Sequence, residues 1–475
     1  MESTKIFPDI QKGIAELCAQ QPLLLPITDA IHKQGGISYL VGGAVRDLLL
    51  SLPIKDMDIE VHGMSLEALE TVLKHYGPVS EVGKSFGVLK VYGTSFDFSL
   101  PRRDSAGRKP QVTIQDLSLE DALRRRDLTM NAMALDMHTR CLYDPFDGLS
   151  DLHAKRLRSP DSSFFAQDPL RFFRVMQFIG RFEMNPDEEL TRICSSMDIS
   201  DVSRERIEME FEKLLLKSRR PSLGIRWLAK IKRLHEVLSE LDRTRGVEQE
   251  KKWHPEGDVF EHTMQSLDAA ADEVSYLPEL SDSEKLMVMY AVLCHDLGKV
   301  ATTKVIDGRL RSFGHDVQGV TCARSFMRRI TRNNDLIDGV IMLVRYHHAP
   351  RTFIDQGAHP SAYKRLAFKM NGKATLTHLS LVAQADVRGR NPQGHAPVPR
   401  GGEDLFLKKA HDLGVAYGAE QPLLTGKNFL DVIKPGPELG KMVKRAYELQ
   451  LAQLISDKEK LKKLVLVLLQ GKNKK

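Results

Sequence analysis

The stretch Tyr39 to Glu60, Y-L-V-G-G-A-V-R-D-L-L-L-S-L-P-I-K-D-M-D-I-E, restricts the folds open to this chain more than any other. It reads as a short apolar strand, a Gly42-Gly43 turn, a helix over roughly 44–50 and a second strand. The two glycines permit a tight turn and a close approach of backbone to ligand. The helix that follows points its free N–H groups at that turn, a natural seat for phosphate. Arg46 falls in its first turn and Pro53 ends it. Asp56 and Asp58 then fall two apart on the second strand, so both face one way, while Met57, Ile59 and Val61 face a core. Two carboxylates beside a phosphate seat suit a divalent cation that handles a nucleoside triphosphate.

At 475 residues the chain exceeds one ordinary domain, and roughly three or four are expected. Hydrophobic residues at 42% and charged ones at 28% are the composition of a globular protein. The net charge of +6 is compatible with a polyanionic partner without demanding one. Cys18, Cys141, Cys194, Cys294 and Cys322 are scattered without C-x-x-C spacing and read as reduced thiols of a cytoplasmic protein. The N-terminus shows no basic region ahead of an apolar run, and no stretch approaches the ~18 apolar residues of a membrane span. No membrane partner is expected.

Residues 1–36 read as a helical extension, punctuated by Pro8 and Pro22 and stopped by Gly35-Gly36. Residues 37–150 hold the opening stretch, an amphipathic helix over 65–75, and two strands, 88–92 and 96–100, joined by a Gly93-Thr94-Ser95 turn. Asp97 lies between Phe96 and Phe98 and faces away from them. It either joins Asp56 and Asp58 at the metals, and is counted with them as catalytic, or is a solvent-facing strand residue. The basic loop 101–113 either meets nucleic acid or triphosphate or is simply solvated. From Ser118, S-L-E-D-A-L-R-R-R-D-L-T-M-N-A-M-A-L-D begins a helix capped by Ser118 and Asp121. Arg124, Arg125 and Arg126 spread around it, so at least one faces the site; Asp127 and Asn131, one turn apart, are placed to hold an arginine.

Residues 151–245 read as a long helical region. Asp168 caps a helix with Pro169 at its first position, and Arg171 and Arg174 share one face of it. An arginine can donate to a base's ring nitrogen and carbonyl while an aspartate accepts from the exocyclic amine. The alternative is a cap with surface arginines. A charged linker at 243–252 follows. Residues 250–400 carry His262, the adjacent His295 and Asp296, and Asp386, imidazoles and carboxylates that suit a divalent transition metal held between helices. His315, His347 and His348 either add ligands or bind phosphate, and His411-Asp412 repeats the dipeptide by coincidence. Residues 401–475 read as a helical packing tail ending in a leucine-rich helix over 458–470.

Taken together, L-V-G-G-A-V-R-D, K-D-M-D, R-R-D-L-T-M-N-A-M-A, D-P-F-D-G, D-P-L-R-F-F-R and S-R-E-R-I-E-M-E resemble, in order over about residues 38–215, the bacterial class II tRNA nucleotidyltransferases. These are the CCA-adding enzymes and their poly(A) polymerase relatives. W-H-P-E-G-D-V-F-E-H-T, C-H-D-L-G-K and A-D-V-R-G-R resemble the HD phosphohydrolase domain that some members carry. The tail L-L-T-G-K-N-F-L-D-V-I-K-P-G-P-E-L-G resembles the C-terminal region of longer homologues. The resemblance implies an α+β fold: a polymerase-β-like mixed sheet with helices, then an all-α neck and body and an all-α HD domain. It implies template-independent addition of C and A, from CTP and ATP, to the 3′ end of tRNA. Asp56 and Asp58 would hold Mg2+; Gly42, Gly43, Arg46 and Arg126 would bind the incoming nucleotide. Asp168 and Arg171 would read its base, with Arg174 also on the nucleotide. His262, His295, Asp296 and Asp386 would hold the HD metal of a hydrolase for 2′,3′-cyclic or monophosphate ends. The chain departs from the family at Gln167, usually Glu, at Gln177, usually Arg, and in a shorter basic loop after Asp97. A CC-adding or A-adding specialist and a poly(A) polymerase are therefore alternatives, as is an RNA-binding module with the HD domain as the only enzyme.

Overall fold

The computed structural model describes residues 8–82, 87–103, 113–114, 117–370, 372–392, 397–398 and 404–472. Most of the basic loop 101–113 and most of 389–402 lie outside the described residues. The chain divides into two compact units, Met1–Val202 and Ser203–Lys475. That division falls inside the segment 151–245 read from the sequence as one helical region.

The first unit has the expected α+β character. Helices Pro8–Gln20 and Leu24–Lys33 lead into strands β1 (Ile37–Val41), β2 (Met57–His62), β3 (Val79–Val82), β4 (Val88–Val91) and β5 (Phe96–Ser99). A small ribbon, β6 (Arg102–Arg103) with β7 (Thr113–Ile114), precedes β8 (Ala134–Asp136) and β9 (Leu142–Tyr143). Seven of these make one mixed sheet in the order β3-β4-β5-β2-β1-β8-β9. Only β2 and β5 run parallel; the other neighbours are antiparallel. Alternation sets the faces. Met57, Ile59, Val61, Phe96, Phe98 and Leu40 are fully buried on one side. Asp58 and Asp97 therefore project from the other.

The sequence expectation of a helix continuing from Ser118 is corrected here. Ser118 does cap it, its Oγ accepting from the Asp121 N–H at 3.1 Å, but the helix stops at Arg124. Asp127 turns its carboxylate back onto the Leu128 N–H at 2.8 Å, a local bond that competes with helical pairing. Leu128 is extended, Thr129–Asn131 forms a single 3-10 turn, and A-L-D becomes β8, pairing with β1. This places Val41, Leu123, Ala132 and Ala134 in one small core beneath the arginine run.

Among its described residues the second unit is helical apart from a Lys304–Ile306/Arg309–Arg311 ribbon. Its centre is Val259–Ser275, buried along nearly its whole length against helices Asp282–Cys294 and Leu376–Arg388. The charged segment at 243–252 is built into this unit: Thr244 is buried, and Gln249 accepts a 2.8 Å bond from Lys299 Nζ. The tail has its own core of Leu424, Phe429, Met442, Ala446, Leu449, Ile455, Leu461 and Val465. Among the described residues no helix is long and apolar enough to cross a membrane.

Candidate active site and metal centre

The register of the first sheet brings the acidic residues together. Asp58 on β2 lies directly opposite Asp97 on the parallel strand β5. Side chains opposite one another in register share a face, so Asp97 lies on the same face as Asp58, with its carboxylate part-exposed. Asp56 stands one residue before β2, at the strand's mouth rather than within it. Lys90, directly across from Asp97 on β4, reaches its Oδ1 at 3.0 Å. The Asp97 carboxylate holds the Lys90 ammonium above its usual pKa. Lys90 was invisible to motif reading; the V-L-K-V alternation opposite F-D-F-S was the available signal.

Gly42 closes the other side of this group. Its φ of +70° suits glycine, and a Cβ there would lie 2.5 Å from Arg126 Nη1 and 3.9 Å from Asp58 Oδ2. Arg126 is thus the arginine of the run that faces the carboxylates, with Glu60 3.9 Å from its guanidinium. Arg124 turns to Glu120 at 2.6 Å, and Arg125 lies over the Phe164 ring. Gly43 begins the helix Gly43–Leu49.

Arg46 has a different place from the one expected. It is 4% exposed, donates to Asp47 Oδ1 at 2.7 and 2.9 Å and to Asn131 Oδ1 at 2.6 Å, and lies 4.8 Å from the Phe182 ring centroid. It is a buried strut. The network continues: Asn131 Nδ2 donates to Asp127 Oδ1 at 2.9 Å, and Arg174 Nε donates to Asp127 Oδ2 at 2.6 Å. Asp127 and Asn131 do hold an arginine, one on each side. Arg171 donates to two backbone carbonyls, Phe164 and Arg125, both at 2.6 Å. The helix Leu170–Phe182 starts one residue later than expected, and Asp168 Oδ1 accepts the Leu170 N–H at 3.1 Å. Gln177 is buried.

Burial alone would raise the pKa of Asp127, but Arg174 and Asn131 outweigh it and hold the carboxyl at about 2, against the usual 3.8. A folded value below the unfolded one means that the ionised group stabilises above pH ~4 and that this is lost as the pH falls toward 2. The shift corresponds to about 2 kcal/mol. Asp127→Asn is therefore expected to lower the melting temperature of the first unit by on the order of 5 °C at neutral pH. The deficit should shrink in calorimetry at acidic pH; a deficit that does not change with pH would reject the assignment.

The second unit gathers the other set. His262 comes from the first turns of the central helix, His295 and Asp296 follow Asp282–Cys294, and Asp386 lies near the end of Leu376–Arg388. His262 Nε2 is 3.3 Å from His295 Nε2, 3.1 Å from Asp386 Oδ1 and 3.6 Å from Asp296 Oδ2. His295 Nε2 is 3.2 Å from Asp296 Oδ2. Gly298 of C-H-D-L-G-K permits this convergence, since a Cβ there would meet the His315 carbonyl oxygen at 2.1 Å. Burial opposes ionisation of Asp296 and Asp386, yet His295 and Lys299 around the first, and Arg390 and His262 around the second, hold both well below the usual carboxylate range.

Three features here were missed by sequence reading. Glu256 Oε1 accepts from His262 Nδ1 at 2.7 Å and from His254 Nδ1 at 2.9 Å. Burial raises the Glu256 pKa, but the two histidines bring it down to about 2. Lys299 Nζ lies 2.7 Å from Asp296 Oδ2, and Arg390 donates to Asp386 at 2.6 Å. Burial also pushes His347 well below its usual pKa, which keeps its ring in the neutral, ligating form. A 310 Å³ cavity opens beside it, lined among others by His347, His348, Gln384, Asp386 and Phe406.

Comparison with known proteins agrees with this geometry. Residues 38–158 match the family described as the poly A polymerase head domain. A multifunctional CCA protein of Tolumonas auensis is 33% identical over 398 residues, 80% of this chain and 91% of that protein. Among solved structures, the Bacillus stearothermophilus CCA-adding enzyme in complex with CTP aligns with a TM-score of 0.65 at 20% identity, covering 99% of this chain and 100% of that one. The Thermotoga maritima CCA-adding enzyme complexed with tRNA aligns with a TM-score of 0.59 at 20% identity, covering 98% and 100%. The fold is thus that of the CCA-adding enzymes, and the chain belongs to the multifunctional CCA protein family.

Proposed function

We infer that the first unit adds C and A nucleotides, without a nucleic-acid template, from CTP and ATP to the 3′ end of tRNA. The observation that carries this reading is the in-register pair Asp58–Asp97 with Asp56 at the strand mouth. An all-oxygen donor set fits Mg2+, a hard cation that is held by carboxylates and substrate phosphates. When bound, Mg2+ supplies charge neutralisation on the triphosphate. The remaining roles belong to the chain. Arg126, beside Gly42 and Asp58, faces the phosphates. Gly42 and Gly43 let the backbone come close to them. Asp168 and Arg171 read the base edge, and Arg174, oriented by Asp127, contacts the nucleotide. Arg46 acts indirectly, through Asn131 and Asp127. The tRNA 3′-hydroxyl oxygen bonds the α-phosphorus as the bond to pyrophosphate breaks, a transfer for which positioning and charge stabilisation suffice. In this reading the protein works in the cytoplasm, where tRNA is matured.

The second unit supports a separate metal-dependent phosphohydrolase, acting on 2′,3′-cyclic or monophosphate ends. His262, His295, Asp296 and Asp386 form a mixed nitrogen and oxygen donor set, which fits a divalent transition metal. When bound, such a cation supplies Lewis acidity toward a phosphoester. In this reading residues 37–150 are the transferase palm, 151–245 the base- and RNA-binding region, 250–400 the hydrolase and 401–475 a packing tail.

The transferase reading is tested with Mg2+, labelled CTP or ATP, and tRNAs lacking their last one, two or three nucleotides. C is expected on the two shorter substrates and A on the longest. No incorporation on any of them rejects the reading. Incorporation of C alone selects a CC-adding specialist, the outcome that Gln167 and Gln177 leave open.

A further inference from the structure

We propose that Lys90 holds the last phosphodiester of the RNA 3′ end and so sets the attacking hydroxyl beside Asp97 and Asp58. This rests on the reading of the first unit as a nucleotidyltransferase. The register of the sheet carries the argument. Ser80 on β3 pairs with Lys90 on β4, Lys90 with Asp97 on β5, and Asp97 with Asp58 on β2. Asp58 pairs in turn with Val41 on β1, and Val41 with Ala134 on β8. Residues paired in register share a face, so they form one row across the face that bears the carboxylates.

The two ends of the row differ. Val41 and Ala134 are 1% and 0% exposed and pack against Leu123 of the helix Leu119–Arg124. That end is walled. Beside it stand the Gly42 turn and Arg126, which face the triphosphate in this reading. At the other end Ser80 and Lys90 are exposed, the Lys90 side chain to 47%. Nucleotidyl transfer sets the attacking and leaving oxygens roughly in line through the α-phosphorus. With the triphosphate seated toward the walled end, the hydroxyl arrives from the opposite side, over β5 and β4.

Lys90 is the cation on that side, its Nζ 3.0 Å from Asp97 Oδ1. An ammonium carries three N–H donors, of which Asp97 takes at most one. The ion pair thus keeps Lys90 against the carboxylate that the hydroxyl approaches and leaves donors for a phosphate oxygen. The phosphodiester on the 5′ side of the terminal nucleotide is one sugar away from that hydroxyl. It must also come close to Asp56, Asp58 and Asp97, whose like charges repel it. A cation placed where the RNA enters offsets that repulsion. A surface ion pair without this role would leave RNA binding unmoved when broken.

The test compares the unaltered chain with Lys90→Gln and Lys90→Arg. It measures steady-state incorporation of labelled CTP into tRNA lacking its last two nucleotides, and binding of that tRNA over a range of salt concentrations. Lys90→Gln is expected to raise the KM for tRNA by on the order of tenfold, with the KM for CTP and the melting temperature unchanged. The slope of log affinity against log salt should fall by about one. Lys90→Arg keeps the charge and should stay within about threefold of the unaltered chain. A rise in the KM for CTP alone overturns the proposal and moves Lys90 to the triphosphate. No change in either KM or in the salt slope overturns it and leaves Lys90 as a counter-ion of Asp97. An arginine variant as weak as the glutamine one also overturns it. No incorporation by the unaltered chain removes the transferase reading itself, and the proposal with it.

Discussion

Asp58→Ala is expected to lower incorporation of labelled CTP into end-trimmed tRNA by on the order of 10³-fold, while hydrolysis of 2′,3′-cyclic AMP by the same preparation is unchanged. The size follows from what the residue does. Asp58 sits midway across the sheet, in register with β1 on one side and β5 on the other, so its carboxylate leaves the backbone on the face it shares with Asp97. Loss of a carboxylate so placed removes several kcal/mol of charge stabilisation from phosphoryl transfer, and each ~1.4 kcal/mol is a factor of ten. The side chain is exposed, so its removal should change stability by no more than about 0.5 kcal/mol. A normal melt with abolished transfer is the expected signature. Asp97→Ala should be milder, on the order of 10–100-fold, because Asp58 and Asp56 remain and Lys90 is freed to approach the triphosphate. Transfer within tenfold of wild type in a well-folded Asp58→Ala chain would remove Asp58 from the catalytic set. Loss of both activities would refute their independence.

What the sequence made legible follows the range over which each signal acts. Asp56 and Asp58 were readable because a two-residue spacing beside a glycine turn is local. The pairing of Asp58 with Asp97 was only half readable, since F-D-F alternation gives a face but not a neighbour; strand order does that. The helical character of 118–136 was misjudged where Asp127 competes for the backbone and A-M-A-L-D is apolar enough for either state. Arg46 looked like a phosphate ligand because it follows the glycines, yet Asn131 is 85 positions away, and sequence spacing does not reveal that contact. In the second unit the histidines and aspartates were visible by type. Their convergence in space depends on how the helices pack, and no pattern in the sequence encodes that. Glu256 lies inside W-H-P-E-G-D, but nothing local in that stretch shows that its carboxylate meets His254 and His262.

His295→Ala is expected to abolish hydrolysis of 2′,3′-cyclic AMP, a fall of at least ~10³-fold, and to leave CTP incorporation untouched. The ring lies 3.3 Å from His262 and 3.2 Å from Asp296, so its removal opens the middle of the donor set. Unchanged hydrolysis would reject the metal-centre assignment outright. Glu256→Gln separates ligand from support. Glu256 fixes the proton of His262 on Nδ1 at 2.7 Å and is itself ionised, with a pKa of about 2. Glutamine keeps the shape but loses the charge that makes His262 a stronger donor to metal. A supporting residue of this kind typically accounts for 10–100-fold in metal affinity or activity. Glu256→Gln should therefore hydrolyse at nearly the wild-type rate when the metal is saturating and fall behind by about 10–100-fold when it is scarce, whereas His295→Ala is not rescued by added metal. Equal loss for Glu256→Gln at all metal concentrations would instead make Glu256 part of the chemistry itself.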